Sequence, residues 1–301
     1  MIDESRKKVI NSLVIYLIFT FAVTYGIQLI YFLSGHTYYN SEGAIDSMTL
    51  LILDISMLVP TVGMLVTRKL TKEGYKLTGK DSMLLGMYLD NGKWLVLLAA
   101  MIVPVLVIES ESLLDILIFN SFDKDYPAKV LGDSVNLLPF FPFISMSSSI
   151  GCFGALGEEL GWRGYMMPKL EKLMGVKAAV IVGGIIWSVW HYVAIVFGHG
   201  SGASGYIGAP WTGFLMFTIS ATCTNGLLTL LTKKSGSIWP AAVAHAVNNG
   251  TLSVFKCLNN TDMLPEIEKQ LGVVSSVPYV IMFVIYLVIL GKMEKNKKIK
   301  E

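Results

Sequence analysis

Residues 9–34 read VINSLVIYLIFTFAVTYGIQLIYFLS, a stretch with no charged side chain that follows directly on Arg6, Lys7 and Lys8. A helix needs roughly 20 apolar residues to cross a bilayer, so this stretch is long enough to span. It is too long for the apolar region of a cleaved leader and lacks a small-x-small cleavage site, so we read it as an uncleaved first span. Further windows of the same kind lie at 47–67, 94–118, 137–160, 178–198, 210–232, 237–255 and 273–291. The third is the weakest, because Glu109, Glu111 and Asp115 interrupt it. The expected fold is all-α, a polytopic integral membrane protein with about eight transmembrane helices.

The composition agrees. Of 301 residues, 53% are hydrophobic and 15% charged, and the mean hydropathy is +0.59. Such a chain cannot cover itself with a polar surface, which excludes a soluble enzyme. The net charge is only +2, and the basic residues sit beside apolar runs instead of forming one stripe, which excludes nucleic acid as a partner. Cys152, Cys223 and Cys257 lie far apart without a CxxC pair, so neither a disulfide framework nor a thiolate zinc site is expected.

Eight spans put both termini on one side, and the positive-inside rule tests that count independently. Of the 24 Lys and Arg residues, all but Lys124, Lys129, Lys256 and Lys269 fall at 6–8, 68–93, 163–177, 233–234 and 292–300, on one predicted side. Both termini are therefore expected in the cytoplasm. No internal repeat or soluble domain is visible. Residues 1–301 read as one domain embedded in the lipid bilayer, with Met166 to Met174 as a short interfacial helix.

An ionisable group in hydrocarbon needs a partner, a wet cavity or a task. Those present are Asp54, Glu158, Glu159, His191 and His245, with Asn248 and Asn249 beside the last. Glu159 and Arg163 are spaced to pair on one helix face, whereas Glu158 turns away by about 100° and stays available. At 1.5 Å per residue His245 lies about 12 Å into its span, and His191 roughly 15 to 20 Å into its own. These groups are expected to converge one or two turns below the cytoplasmic face, in a site that opens from that side. His245 and Asn249 present two donors side by side, and Trp187 sits beneath His191.

These residues resemble a known family. Glu158-Glu159-Leu160-Gly161-Trp162-Arg163 is similar to the EExxxR signature of the CAAX prenyl endopeptidase and bacteriocin-processing (CPBP, or Abi) intramembrane proteases. An aromatic and a histidine separated by three residues form the second motif, matched by Trp187 and His191, with Trp where Phe is commoner. The third motif, HxxxN, is matched by His245 and Asn249. The resemblance covers a motif-bearing core of about 137–255.

It implies peptide-bond hydrolysis within the membrane. On these positions Glu158 with His191 activates water and His245 with Asn249 stabilises the oxyanion, while Glu159, Arg163 and Trp187 support them. A Glu158, His191, His245 set also suits zinc with an open position, and the sequence leaves metal-bound and metal-free water open. The substrate is expected to be a peptide or protein presented at the membrane, lipidated or not, and the location a bacterial plasma membrane.

Ordinary roles and rival functions stand beside this reading. Asp54 reads as a cavity-facing or helix-pairing group, one of Asn248 and Asn249 as a helix-backbone partner, and His36 and His199 as surface residues. Gly202-Ala203-Ser204-Gly205 resembles the GxSG motif of rhomboid proteases, but Ser204 and His245 belong to opposite sides of the membrane. HExxH and GxGD are absent. A proton-coupled transporter is disfavoured because no paired halves are visible. A non-proteolytic bacteriocin-immunity or scaffold protein is the remaining alternative.

Overall fold

The computed structural model describes residues 4–40, 44–79, 81–199 and 206–300. Among these the regular structure is helical, and extended pairing is limited to isolated bridges at Tyr39–Ile45 and Phe122–Asn259. The principal helices are α1 (Glu4–Leu33), α2 (Ser47–Leu70), α3 (Trp94–Phe119), α4 (Cys152–Gly161), α5 (Val176–Trp190), α6 (Trp211–Ser235), α7 (Trp239–Gly250) and α8 (Val277–Lys300). Among the described residues six stretches are long and apolar enough to cross a membrane: α1, α2, α3, α6, Val277–Asn296 of α8, and the broken helical run Tyr126–Met174 that contains α4. The all-α polytopic class is as expected.

The spans expected at 178–198 and 237–255 are shorter than their uncharged windows. Helix α5 has 15 residues and α7 has 12, or about 22 and 18 Å at 1.5 Å per residue. An uncharged window measures what an apolar medium tolerates, not what stays helical. Helix α5 stops at His191, and Tyr192–Val196 resumes as a separate short helix. Helix α7 is shielded by protein along most of its length, with Ala241, Ala242 and Ala244 fully buried, so it need not bridge the hydrocarbon alone.

The window 137–160 is also broken. A 3-10 segment over Gly132–Phe140 contains Pro139, and a second over Ser148–Gly151 follows Ser147. Serine hydroxyls there bond nearby carbonyls, as Ser147 does with Ile144 at 2.6 Å, which weakens the regular ladder. Helix α4 continues through a π-helical turn at Trp162–Met166 into Met167–Met174. That last piece, a short helix as expected, buries Met167 and Leu170 and extends Lys169 and Lys172 to Glu73 and Asp81.

Close approach between helices depends on glycine. A Cβ at Gly161 would fall 2.5 Å from Pro60 of α2, and one at Gly184 of α5 would fall 2.5 Å from Thr222 Cα of α6. Small residues let backbones meet where no hydrophobic force drives helices together in lipid. Helix α1 contributes a buried polar stripe, Tyr16, Thr20, Thr24 and Gln28, spaced to share one face. Thr24 accepts from Trp190 Nε1 at 2.8 Å and Gln28 donates to Ser56 at 3.2 Å.

Lysine-rich segments gather at one end of the bundle. Glu73 accepts from Ser12, Thr71, Tyr165 and Lys169 there. Lys233 pairs with Glu171, and Val176 N–H donates to Glu294. At the other end of α1 and α2, Tyr38 bonds His199 at 2.7 Å and Tyr39 bonds the Gly198 carbonyl at 3.3 Å.

Candidate active site

The last turn of α4 carries Glu158 and Glu159, and its π turn carries Trp162 and Arg163. Both carboxylates and the guanidinium are buried. Neighbours on a helix diverge by about 100°, and the two carboxylates accordingly serve different partners. Glu159 Oε1 accepts from Arg163 Nη1 and from His245 Nδ1, each at 2.8 Å. Glu158 Oε2 accepts from Trp187 Nε1 at 2.7 Å and Trp162 Nε1 at 3.2 Å.

Trp187 of α5 is the common neighbour. Its N–H reaches Glu158, its face carries the Arg163 guanidinium at 4.3 Å, and the His191 and His245 rings stand edge-on at 5.7 and 5.4 Å. His191 occupies the break after α5, with Nδ1 2.9 Å from the Trp187 carbonyl. A carbonyl only accepts, so Nδ1 bears the proton and Nε2 of the neutral ring is an acceptor. Trp190 and Phe217 pack on the same imidazole at 4.7 and 5.0 Å.

Glu158, His191, His245 and Asn249 all line one cavity of about 380 Å³, together with Trp187, Asn248, Asp54 and His199. The two asparagines both line the cavity. Asp54 is cavity-facing, as expected. His36 is exposed and stacked on Tyr31 at 4.4 Å. Ser204 lies outside the described residues.

Two features depart from the sequence reading. Glu158 is not left alone but is held by two indoles, and Glu159 supports His245 as well as Arg163. His199, expected at the surface, lines the cavity and lies nearly parallel to His191, at 12° and 5.9 Å. A glycine-rich loop does not reveal where it folds. Here Gly198 adopts φ +125°, and His199 N–H turns back to the Ala194 carbonyl at 2.9 Å.

A Cβ at Gly157 would meet the Met57 carbonyl at 2.8 Å, so Glu158 lies level with the middle of α2. Arg163 suggested a membrane boundary, but it is itself buried against Glu159, and the polar end begins only near Lys169. The cavity reaches Tyr38, Ile45 and His199 and draws no lining residue from the lysine-rich segments.

Zinc was the group to test. Among the described residues, no three His, Cys, Asp or Glu side chains converge closely enough to hold a metal ion. The hydrogen bonds of Glu158, His191 and His245 engage Glu158 Oε2 and the Nδ1 atoms of the two histidines. The residues present do not fit the metal in this arrangement.

Fold and cavity together define the class: a multi-pass, all-helical membrane protein that gathers two carboxylates, an arginine and two histidines around one indole. Residues 140–251 match the family model described as Rce1-like, type II CAAX prenyl endopeptidase Rce1-like, so the resemblance carried by the three motifs holds over this segment. A protein named CAAX prenyl protease 2, from Methanococcus maripaludis, is 47% identical over 38 residues. That stretch is 13% of this chain and 14% of that protein's length.

Proposed function

We propose that this chain is an intramembrane endopeptidase that hydrolyses peptide bonds of membrane-presented peptides or proteins, CAAX-protease-like in its chemistry. The observation that carries this reading is the meeting of Glu158, His191, His245 and Asn249, from three separate helical segments, on one cavity. Residues 1–301 act in this reading as one membrane-embedded domain.

Both indole bonds fall on Oε2 of Glu158, which leaves Oε1 for water. A water held between Oε1 and Nε2 of His191 gives its proton to Glu158 as its oxygen attacks the scissile carbonyl carbon. The oxyanion so formed takes hydrogen bonds from the Asn249 amide and from Nε2–H of protonated His245. Such donors are each worth on the order of 10² to 10³ in rate. Glu159 faces the opposite nitrogen of His245 at 2.8 Å and orients the ring. As the intermediate collapses, Glu158 returns the proton to the leaving amine, so the step consumes one water and balances. A cavity of about 380 Å³ falls within the roughly 300 to 1,000 Å³ common for binding sites.

The test is cleavage of a membrane-proximal peptide library by the purified, detergent-solubilised protein. We expect Glu158→Gln to lower the rate by about 10³-fold, within the range of general-base catalysis, with an unchanged unfolding temperature, since the Gln carbonyl still accepts both indoles. A chelator should leave the wild-type rate within about two-fold, because the mechanism invokes no bound metal. Metal near one per chain that is lost with His191→Ala and needed for cleavage would overturn the metal-free route. No cleavage by the wild type would sink the protease reading in favour of an immunity or scaffold role.

A further inference from the structure

Glu109 interrupts the apolar run of α3 and lies outside the matched residues 140–251. A carboxylate within a span needs a partner, a wet cavity or a task, and this one reaches the chain that leaves α7. Glu109 Oε1 accepts from the Val254 N–H at 2.8 Å, and Oε2 accepts from Ser253 Oγ at 2.9 Å and from the Phe255 N–H at 3.0 Å. Both oxygens are thus occupied by one short segment, and the helix that carries them packs along α7.

That segment begins where α7 ends. The last carbonyls of a helix lack partners within it, so the final turn depends on what holds the chain beyond. Thr251 leaves α7 in an extended conformation, φ −72° and ψ 124°, and its hydroxyl donates to the Val247 carbonyl at 2.7 Å. Ser148 Oγ donates to the Gly250 carbonyl at 3.3 Å, and Ser145 Oγ accepts from the Leu252 N–H at 2.9 Å. Glu109 then fastens Ser253, Val254 and Phe255 to α3.

Asn249 stands in that last turn of α7 and lines the cavity. Among the described residues its side-chain amide has no hydrogen-bond partner, unlike His245, which Glu159 holds at 2.8 Å. The backbone alone aims it.

We propose that Glu109 is a positioning residue for the oxyanion site: by fastening the exit from α7 it fixes the backbone that aims the Asn249 amide into the cavity. The catalytic consequence rests on the protease reading above; the anchoring does not. Glutamine at position 109 keeps the shape but turns one acceptor into a donor, so the N–H of Val254 or of Phe255 faces another N–H instead of an oxygen.

The experiment compares cleavage of a membrane-proximal peptide by the wild type, Glu109→Gln, Asn249→Ala and the double variant. An oxyanion donor acts on the transition state and not on substrate binding, so Glu109→Gln should lower kcat about ten-fold and leave KM within about two-fold. On the Asn249→Ala background the same substitution should cost less than about two-fold, because the group it aims is gone. A similar loss in both backgrounds, or none in the first, overturns the catalytic role.

Residue-resolved amide hydrogen exchange over 246–255 reads the anchoring without activity. Glu109→Gln should quicken exchange about ten-fold at Asn248, Asn249 and Gly250, and acceleration confined to Val254 and Phe255 overturns the proposal. A wild type that cleaves nothing, with exchange still quickened through Asn249, upholds the anchoring and removes the protease reading together with the catalytic role.

Discussion

At the scale of single residues, the site is a division of labour between two adjacent carboxylates. Glu159 is enclosed with Arg163, whose side chain is 1% exposed, and with His245; Glu158 meets indoles and the cavity. Removing one member of a buried ion pair leaves a charge without its partner, at a cost of about 3 to 5 kcal/mol. Arg163→Met is therefore expected to lower stability by about that amount in denaturant unfolding of the detergent-solubilised protein, and unchanged stability would show that His245 alone compensates Glu159. The spacing of Glu159 and Arg163 made their pairing legible in the sequence. The Glu159 bond to His245 was not, because the two are 86 positions apart and no local periodicity links them. His199 was missed for the same reason: its neighbour Tyr38 lies 161 positions away.

At the scale of elements, glycine decides how close α4 lies to α2, and hence where Glu158 sits. A Cβ at Gly161 would lie within 2.6 Å of three Pro60 atoms, whereas one at Gly154 would meet nothing within 4 Å. Overpacking a filled contact costs about 1 to 3 kcal/mol. We expect Gly161→Ala to reduce the monodisperse fraction on size-exclusion chromatography and to lower the unfolding temperature, with Gly154→Ala neutral. Equal behaviour of the two variants would mean that the helices part without cost. Uncharged windows located α1, α2, α3, α6 and α8. They overstated α5 and α7, because His191 and the Gly250-Thr251 step end helices that hydropathy alone lets run on.

At the scale of the whole molecule, the lysine-rich end is held together by Glu73. Burial alone pushes its carboxyl up, but the Lys169 ammonium and the hydroxyls of Ser12 and Thr71 outweigh that and hold it below the ordinary range. A depressed carboxylate stabilises the fold above its unfolded-state value, about 4.3 for Glu, and that contribution disappears as pH falls through the folded-state value. The unfolding temperature should thus decline as pH drops below about 4.3, and Glu73→Gln should flatten that decline; an unaltered slope would assign acid sensitivity to other groups. The amino-acid sequence by itself determined the membrane class, the grouping of the basic segments and the residue types of the site, because hydropathy, charge and helical spacing are local properties of the chain. Which carboxylate lines the cavity, the level of Glu158 against α2 and which helix ends the cavity touches were decided only by the tertiary structure. Each depends on which distant helices meet, and that follows from packing at glycines and from burial of charge rather than from any stretch of sequence read alone.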